Sequence, residues 1–160
     1  MAMDIFMKIE GTKGESKDSK HGGEIEVLAW SWGMSNSGSM HSGTGGGAGK
    51  ANVQDVSFTK YVDSSSAALM LFAMNGKHIP KANLVVRKAG EKPLEYLKIE
   101  MTDVIVTSLS TGGSGGEDRL TENVALNFAK VKVEYFAQDE KGAGKAAGET
   151  GWDIRGNTKM

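Results

Sequence analysis

Cysteine is absent from the 160 residues of this chain, which excludes disulfides and thiol chemistry and leaves the redox compartment open. A charge imbalance is missing too. The net charge is −1, so there is no electrostatic footprint for nucleic acid. No apolar run approaches the roughly 20 residues that a membrane-spanning helix needs, and membrane insertion is not expected. The amino terminus, MAMDIFMKIEG, carries Asp4 and has no basic segment ahead of an apolar one. It does not read as a secretory signal peptide. The expectation is a soluble chain made in the cytoplasm, which leaves the cell, if it does, by a route that reads no amino-terminal signal.

Reactive constellations are equally scarce. His21, His41 and His78 share no ligand spacing with one another or with acidic pairs, so no metal site is expected. Serine is common, but never in the strand–Gly-x-Ser-x-Gly–helix setting of a nucleophile elbow. The run GTGGGAGK at 43–50 fails as a phosphate-binding loop twice. Thr44 stands five residues before Gly49 where glycine is required, and Ala51 follows Lys50 in place of Ser or Thr. A looser match at Gly43, Gly45 and Ala48 precedes a strand-like run instead of opening a helix. No enzyme activity and no cofactor are expected.

What the chain does have is glycine and long β-runs. Its 22 glycines are about twice the usual share, and they cluster at 43–49 and 112–116. The strongest structural signal is 94–136, two long strand-like runs around one glycine-rich turn. Leu97, Ile99, Met101, Ile105 and Leu109 hold one parity in the first run, while Tyr96, Val104 and Val106 hold the other. In the second run, Val124, Leu126 and Phe128 give way to the opposite parity at Val131, Val133 and Tyr135. Successive strand residues point to opposite faces, so a bulge or twist is predicted near Ala129 and Lys130. The pair reads as an antiparallel hairpin, the spine of one domain covering 1–160.

Alternation at Met3, Ile5, Met7 and Ile9 predicts a first strand, with Phe6 out of place on its polar parity. Residues 11–23 read as a solvated loop. In 24–32, Ile25, Val27, Ala29 and Ser31 share one face, and Leu28, Trp30 and Trp32 the other. Residues 33–50 form a Gly/Ser segment too polar to pack by itself, and such length is uncommon in a compact domain unless it is functional or disordered. One helix is predicted at about 64–75, capped by Asp63 or Ser64 and closed by Gly76. It is apolar nearly all round, so more than one face must be covered.

The segments MDIFMKIEG, KGESKD, VLAWSWGMS, VQDVSFTKYVD, the GKH at 76–78, VRKAG, EYL, GWDIRGN and above all STGGSGGEDRLTENVALNFAKVKVEY resemble the Hcp family. These hemolysin-coregulated proteins are the tube subunits of bacterial type VI secretion systems. The likeness spans nearly the whole chain, with weak agreement at 137–150 and a bulkier helix end at 71–74. It implies a mainly β fold, a barrel-like pair of antiparallel sheets with one flanking α-helix, assembling as a hexameric ring with an open channel. It further implies stacked rings forming an inner tube, sheath and spike components as partners, small effector proteins carried in the channel, and export from the bacterial cytoplasm without a signal peptide. Competing readings are a monomeric ligand-binding β-sandwich module and a small hydrolase.

Site residues are expected accordingly. Ser31 and Ala29 are assigned to the channel lining, because they lie opposite the large rings of Trp30 and Trp32. Ser39, His41, Gly45, Gly46, Gly47 and Lys50 are assigned to a ring-stacking loop. Surplus apolar surface assigns Leu69, Phe72, Met101 and Ile105 to the subunit interface. Deleting residues 43–49 is expected to leave the oligomer intact and weaken stacking and secretion, measured by sedimentation and by secreted protein. Unchanged secretion would remove the loop from the mechanism.

Overall fold

The computed structural model describes residues 3–41, 49–90 and 92–160. Ten strands and one helix follow in the order β1 (Met3–Ile9), β2 (Ile25–Ser31), β3 (Met34–Asn36), β4 (Ala51–Val53), β5 (Val56–Tyr61), α1 (Ser66–Asn75), β6 (Ile79–Lys88), β7 (Leu94–Gly112), β8 (Thr121–Gln138), β9 (Gly144–Asp153) and β10 (Thr158–Lys159). Eight of them form one antiparallel sheet in the order β10-β9-β8-β5-β2-β1-β6-β7, and β7 also pairs with β8. Six strands therefore close into a barrel, from which β9 and β10 extend beyond β8. Closure removes the edges of the six barrel strands, while β9, which β10 covers only at Trp152 and Asp153, keeps an open edge. The polar segment after β2 is not wholly structureless, because β3 and β4 pair as a separate two-stranded ribbon.

The predicted spine is the β7–β8 hairpin, and its double-sided apolar pattern has a definite cause. Ile99 and Met101 point inward, then Asp103 takes a left-handed φ of 54°, and Val104 and Val106 point inward after it. Asp tolerates that conformation better than most residues. The register itself shifts once, between Val106 and Ser108, where Thr107 is skipped. On β8 the buried set passes from Val124, Leu126 and Phe128 to Val131, the predicted switch near Ala129 and Lys130. Met101 and Ile105 consequently lie on opposite sides of the wall: Met101 is fully buried, while Ile105 faces out and is half-buried.

Helix α1 packs against β7, and Leu69 and Phe72 enter the barrel core beside Met101. Full burial of each such side chain is worth about 1.5–3 kcal/mol. Leu69, Phe72 and Met101 are thus consumed by the protomer itself and are not interface residues. The exposed apolar side of the helix is Leu71 and Met74. At its start, Asp63 Oδ1 accepts from the Ser65 N–H at 2.8 Å, whereas Ser64 Oγ donates to the Lys13 carbonyl at 2.8 Å. Gly76, at φ 65°, closes the helix with its N–H on the Phe72 carbonyl.

Inward parity on β5 continues from Val56 and Phe58 to Lys60, which stands directly opposite Glu122 on β8. Both are fully buried. Lys60 Nζ contacts Glu122 Oε1, and it also reaches Asp63 Oδ1 at 3.0 Å, the Tyr61 carbonyl at 3.0 Å and Ser66 Oγ at 3.2 Å. Ser66 Oγ in turn donates to Glu122 Oε1 at 2.7 Å. The cluster fastens the first turn of α1 to two barrel strands. Lys60→Met removes the only cation of this cluster and strands Glu122, so urea unfolding should show a loss of about 3–5 kcal/mol. A loss below about 1 kcal/mol would match an exposed pair instead.

Candidate functional site

The barrel interior is filled by the core side chains of β1, β2 and β5–β8, so contact with other molecules belongs to its outer walls. One wall is built where β2, β5, β8 and β7 run side by side. Residues directly opposite one another on antiparallel strands share a face, and two rows follow from the register. The first is Ser31–Ser57–Ala125–Ser108, and the second is Ala29–Thr59–Asn123–Ser110. None of these eight residues carries a charge. Thr59 Oγ1 donates to Asn123 Oδ1 at 2.6 Å, which ties the second row together. A shallow depression of about 270 Å³ lies over Ala29, Ser31, Ser57, Thr59 and Asn123.

The placement of Ser31 depends on a break that the sequence pattern did not disclose. Register shifts between Val27 and Ala29, leaving Leu28 as the extra residue. Ile25 and Val27 point into the core, and past the bulge it is Trp30 that packs inward, with Ala29 and Ser31 exposed. The four residues expected on one face are therefore divided between two. Trp32 also packs on the core, tilted against Phe128 with ring centroids 6.4 Å apart, and donates Nε1–H to the Gln54 carbonyl at 2.9 Å.

The opposite wall, on β1, β6, the first half of β7 and the second half of β8, is charged. Lys81 pairs with Glu100 at 3.0 Å, Lys98 with Glu95 at 3.4 Å, and Lys132 with Glu149 at 3.1 Å and Glu134 at 3.3 Å. Hydrogen bonds to Glu149 and Glu134 push the Lys132 ammonium above its ordinary pKa. Arg87 hydrogen-bonds Asp18 and holds its carboxyl well below the usual carboxylate range. The barrel thus turns to its surroundings one side whose two central rows are small and uncharged, bordered by Asp55 on Thr107 and Asn127, and one side of paired charges.

Of the expected stacking loop, Ser39, His41 and Lys50 are exposed, and Ser39 Oγ accepts the His41 N–H at 3.2 Å. Gly45, Gly46 and Gly47 lie outside the described residues. Two residues that sequence reasoning missed organise the loop's base. Asn36 Oδ1 accepts the N–H groups of Gly38 and Gly49 at 2.8 Å each, and its Nδ2 donates to the Gly49 carbonyl at 2.8 Å. A Cβ at Gly49 would come within 2.6 Å of the Gly38 nitrogen, so only glycine fits there. Among the described residues, no group of three His, Asp or Glu side chains is placed to hold a metal ion, and no helix is long and apolar enough to cross a membrane.

The sequence profile of the family described as "Type VI secretion system effector, Hcp" matches residues 6–135. The chain belongs to the Hcp family. It is 61% identical to Protein hcp1 of Pseudomonas aeruginosa over 162 aligned positions, covering 99% of both chains. Among solved structures, one described as that of a type six secretion system protein superposes with a TM-score of 0.93 at 33% identity, covering 99% of this chain and 100% of the other. Hcp1 from Salmonella typhimurium superposes at 0.81 with 43% identity, covering both chains completely. The mainly β barrel with one helix is therefore the Hcp fold.

Within this Hcp barrel, residues 30 and 31 separate the core from the uncharged wall. Ser31→Gln should leave urea stability within about 0.5 kcal/mol of the parent, whereas Trp30→Ala should cost at least about 2 kcal/mol. Equal effects at the two positions would contradict this placement.

Proposed function

We propose that this Hcp chain is a structural subunit of the type VI secretion tube. Six copies close into a ring, rings stack into a tube, and the uncharged wall of β2, β5, β8 and β7 lines the channel. The chain is made in the bacterial cytoplasm and exported by the secretion machine itself, with sheath and spike components as its partners. Its role is mechanical and protective rather than enzymatic. The observation that carries this reading is the pair of rows around Ser31 and Ala29. A lining of small hydroxyl, amide and methyl groups leaves room for a passenger and imposes few fixed partners. Charged walls would attract or repel each passenger according to its own charge, and here the charges lie on the other side of the barrel.

The base of loop 36–50 supports a role in ring-to-ring contact, because Asn36 and Gly49 fix the direction in which Ser39, His41 and Lys50 leave the barrel. Ile105, outward and half-buried on β7, remains a residue assigned to the contact between neighbours in the ring.

A monomeric ligand-binding module is the second reading. It rests on a hollow of about 470 Å³ between the β3–β4 ribbon and β8–β9, lined by Trp32, Met34, Val53, Val131, Val133 and Trp152. Sedimentation separates the two. A ring gives a mass several times the 17.0 kDa of one chain, and a species of one chain's mass at micromolar concentration overturns the tube reading. Ser31→Gln should keep the ring while at least one effector loses binding or stability in the producing cell. Loss of the ring, or retention of every effector, would place Ser31 elsewhere.

A further inference from the structure

Phe6 sits on the polar parity of β1, yet it is only 4% exposed. The cover is the loop at 11–24, which folds back over the outer face of the barrel; much of it is exposed, as expected, but its backbone is tied down by hydrogen bonds. The Gly14 N–H donates to the Gly23 carbonyl at 2.8 Å, the Ser16 N–H to Glu24 at 3.0 Å, and the Gly23 N–H to Ser16 at 2.8 Å. A Cβ at Gly14 would lie 2.4 Å from the Glu24 carbonyl oxygen, so this close approach requires glycine.

The His21 ring stacks on Phe6, with centroids 4.4 Å apart and planes 14° from parallel. Its two nitrogens both meet carboxylates. Nδ1 lies 2.8 Å from Glu24 Oε2, and Nε2 lies 2.5 Å from Glu95 Oε1 at the start of β7. A neutral imidazole has one N–H and one lone pair, so in either tautomer one nitrogen would turn its lone pair on a carboxylate. Only the imidazolium satisfies both.

We propose that the 11–24 loop is a pH-sensitive latch, closed over Phe6 while His21 carries a proton on each ring nitrogen and loosened when one is lost. Charged groups reach the ring from its own loop and from β1, β6, β7 and β8. From its own loop the ring meets Glu24, with Asp18 accepting the His21 backbone N–H. Lys8 of β1 and Glu100 of β7 line one hollow together with His21, Glu24 and Glu95. Among the nearby cations, Lys98 is on Glu95, Lys132 is on Glu134 and Glu149, and Arg87 is on Asp4 and Asp18.

The direction of the response follows from the partners. A histidine that gains carboxylate partners on folding contributes stability at low pH and loses it as pH rises through its titration. The second clasp behaves oppositely. Asp18, held below the ordinary range by Arg87, keeps its bonds throughout neutral and alkaline pH and yields only to acid.

Amide hydrogen exchange of the intact protein tests the latch, read by mass spectrometry on peptides covering 11–24 after correction for intrinsic exchange. Protection should fall about tenfold between about pH 6 and about pH 8.5, the size expected from one charge-assisted hydrogen bond. His21→Gln should abolish that step, and Glu95→Gln, which leaves β7 intact and removes one anion, should shrink it. Equal protection of the parent at both pH values overturns the proposal. So does an undiminished step in His21→Gln or in Glu95→Gln.

Discussion

The pairing of β7 with β8 is the constraint on which the rest of this molecule depends. It closes the sheet, and closure of so small a barrel leaves an interior just wide enough for side chains. Strands of 19 and 18 residues cannot follow such a surface without breaks. The left-handed Asp103, opposite the switch at Ala129, and the bulge at Thr107 supply them. Each break exchanges the side of the strand that faces the core. Without them, Val104 and Val106 would face water and Ile105 would compete for space inside. A filled interior has no room for a ligand, so the outer surface carries the function.

That surface is divided in two by the same register. Where the first half of β8 lies against β5, the outward residues are Ser, Thr, Asn and Ala. Where its second half lies against β9, they are Lys132 and Glu134 facing Glu149. One long strand thus serves a neutral wall and a charged one. The Lys60–Glu122 cluster sits beneath the neutral wall and fixes α1 against it. Buried ion pairs contribute little net stability over apolar substitutes of similar size, and this one joins the first turn of α1 to β5 and β8 through Asp63 and Ser66.

The sequence made much of this legible. The spine hairpin, the helix with Gly76 at its end, the parity change near Ala129 and the first strand are all periodic or punctuated signals, and each is found where expected. Bulges are different, since one extra residue at Leu28 leaves the composition of β2 unchanged while reversing the side taken by everything after it. Ser31 still faces away from Trp30 because those two are adjacent, whereas Val27 and Ala29 are parted. Leu69, Phe72 and Met101 were misassigned for another reason. Periodicity tells that a face is covered, but not whether the cover belongs to the same chain. Contacts between Lys60 and Glu122, or between His21 and Glu95, join residues far apart in sequence and become visible only once the strands are in register.

The absence of native cysteine permits a direct test of which wall faces the channel. Ser31→Cys and Glu149→Cys each introduce a single thiol, one on the neutral wall and one on the charged wall. In the assembled ring, a small maleimide should label both positions, whereas a maleimide carried on a bulky polymer should label only Cys at 149. Rapid reaction of the bulky reagent at position 31 in intact rings would contradict the account.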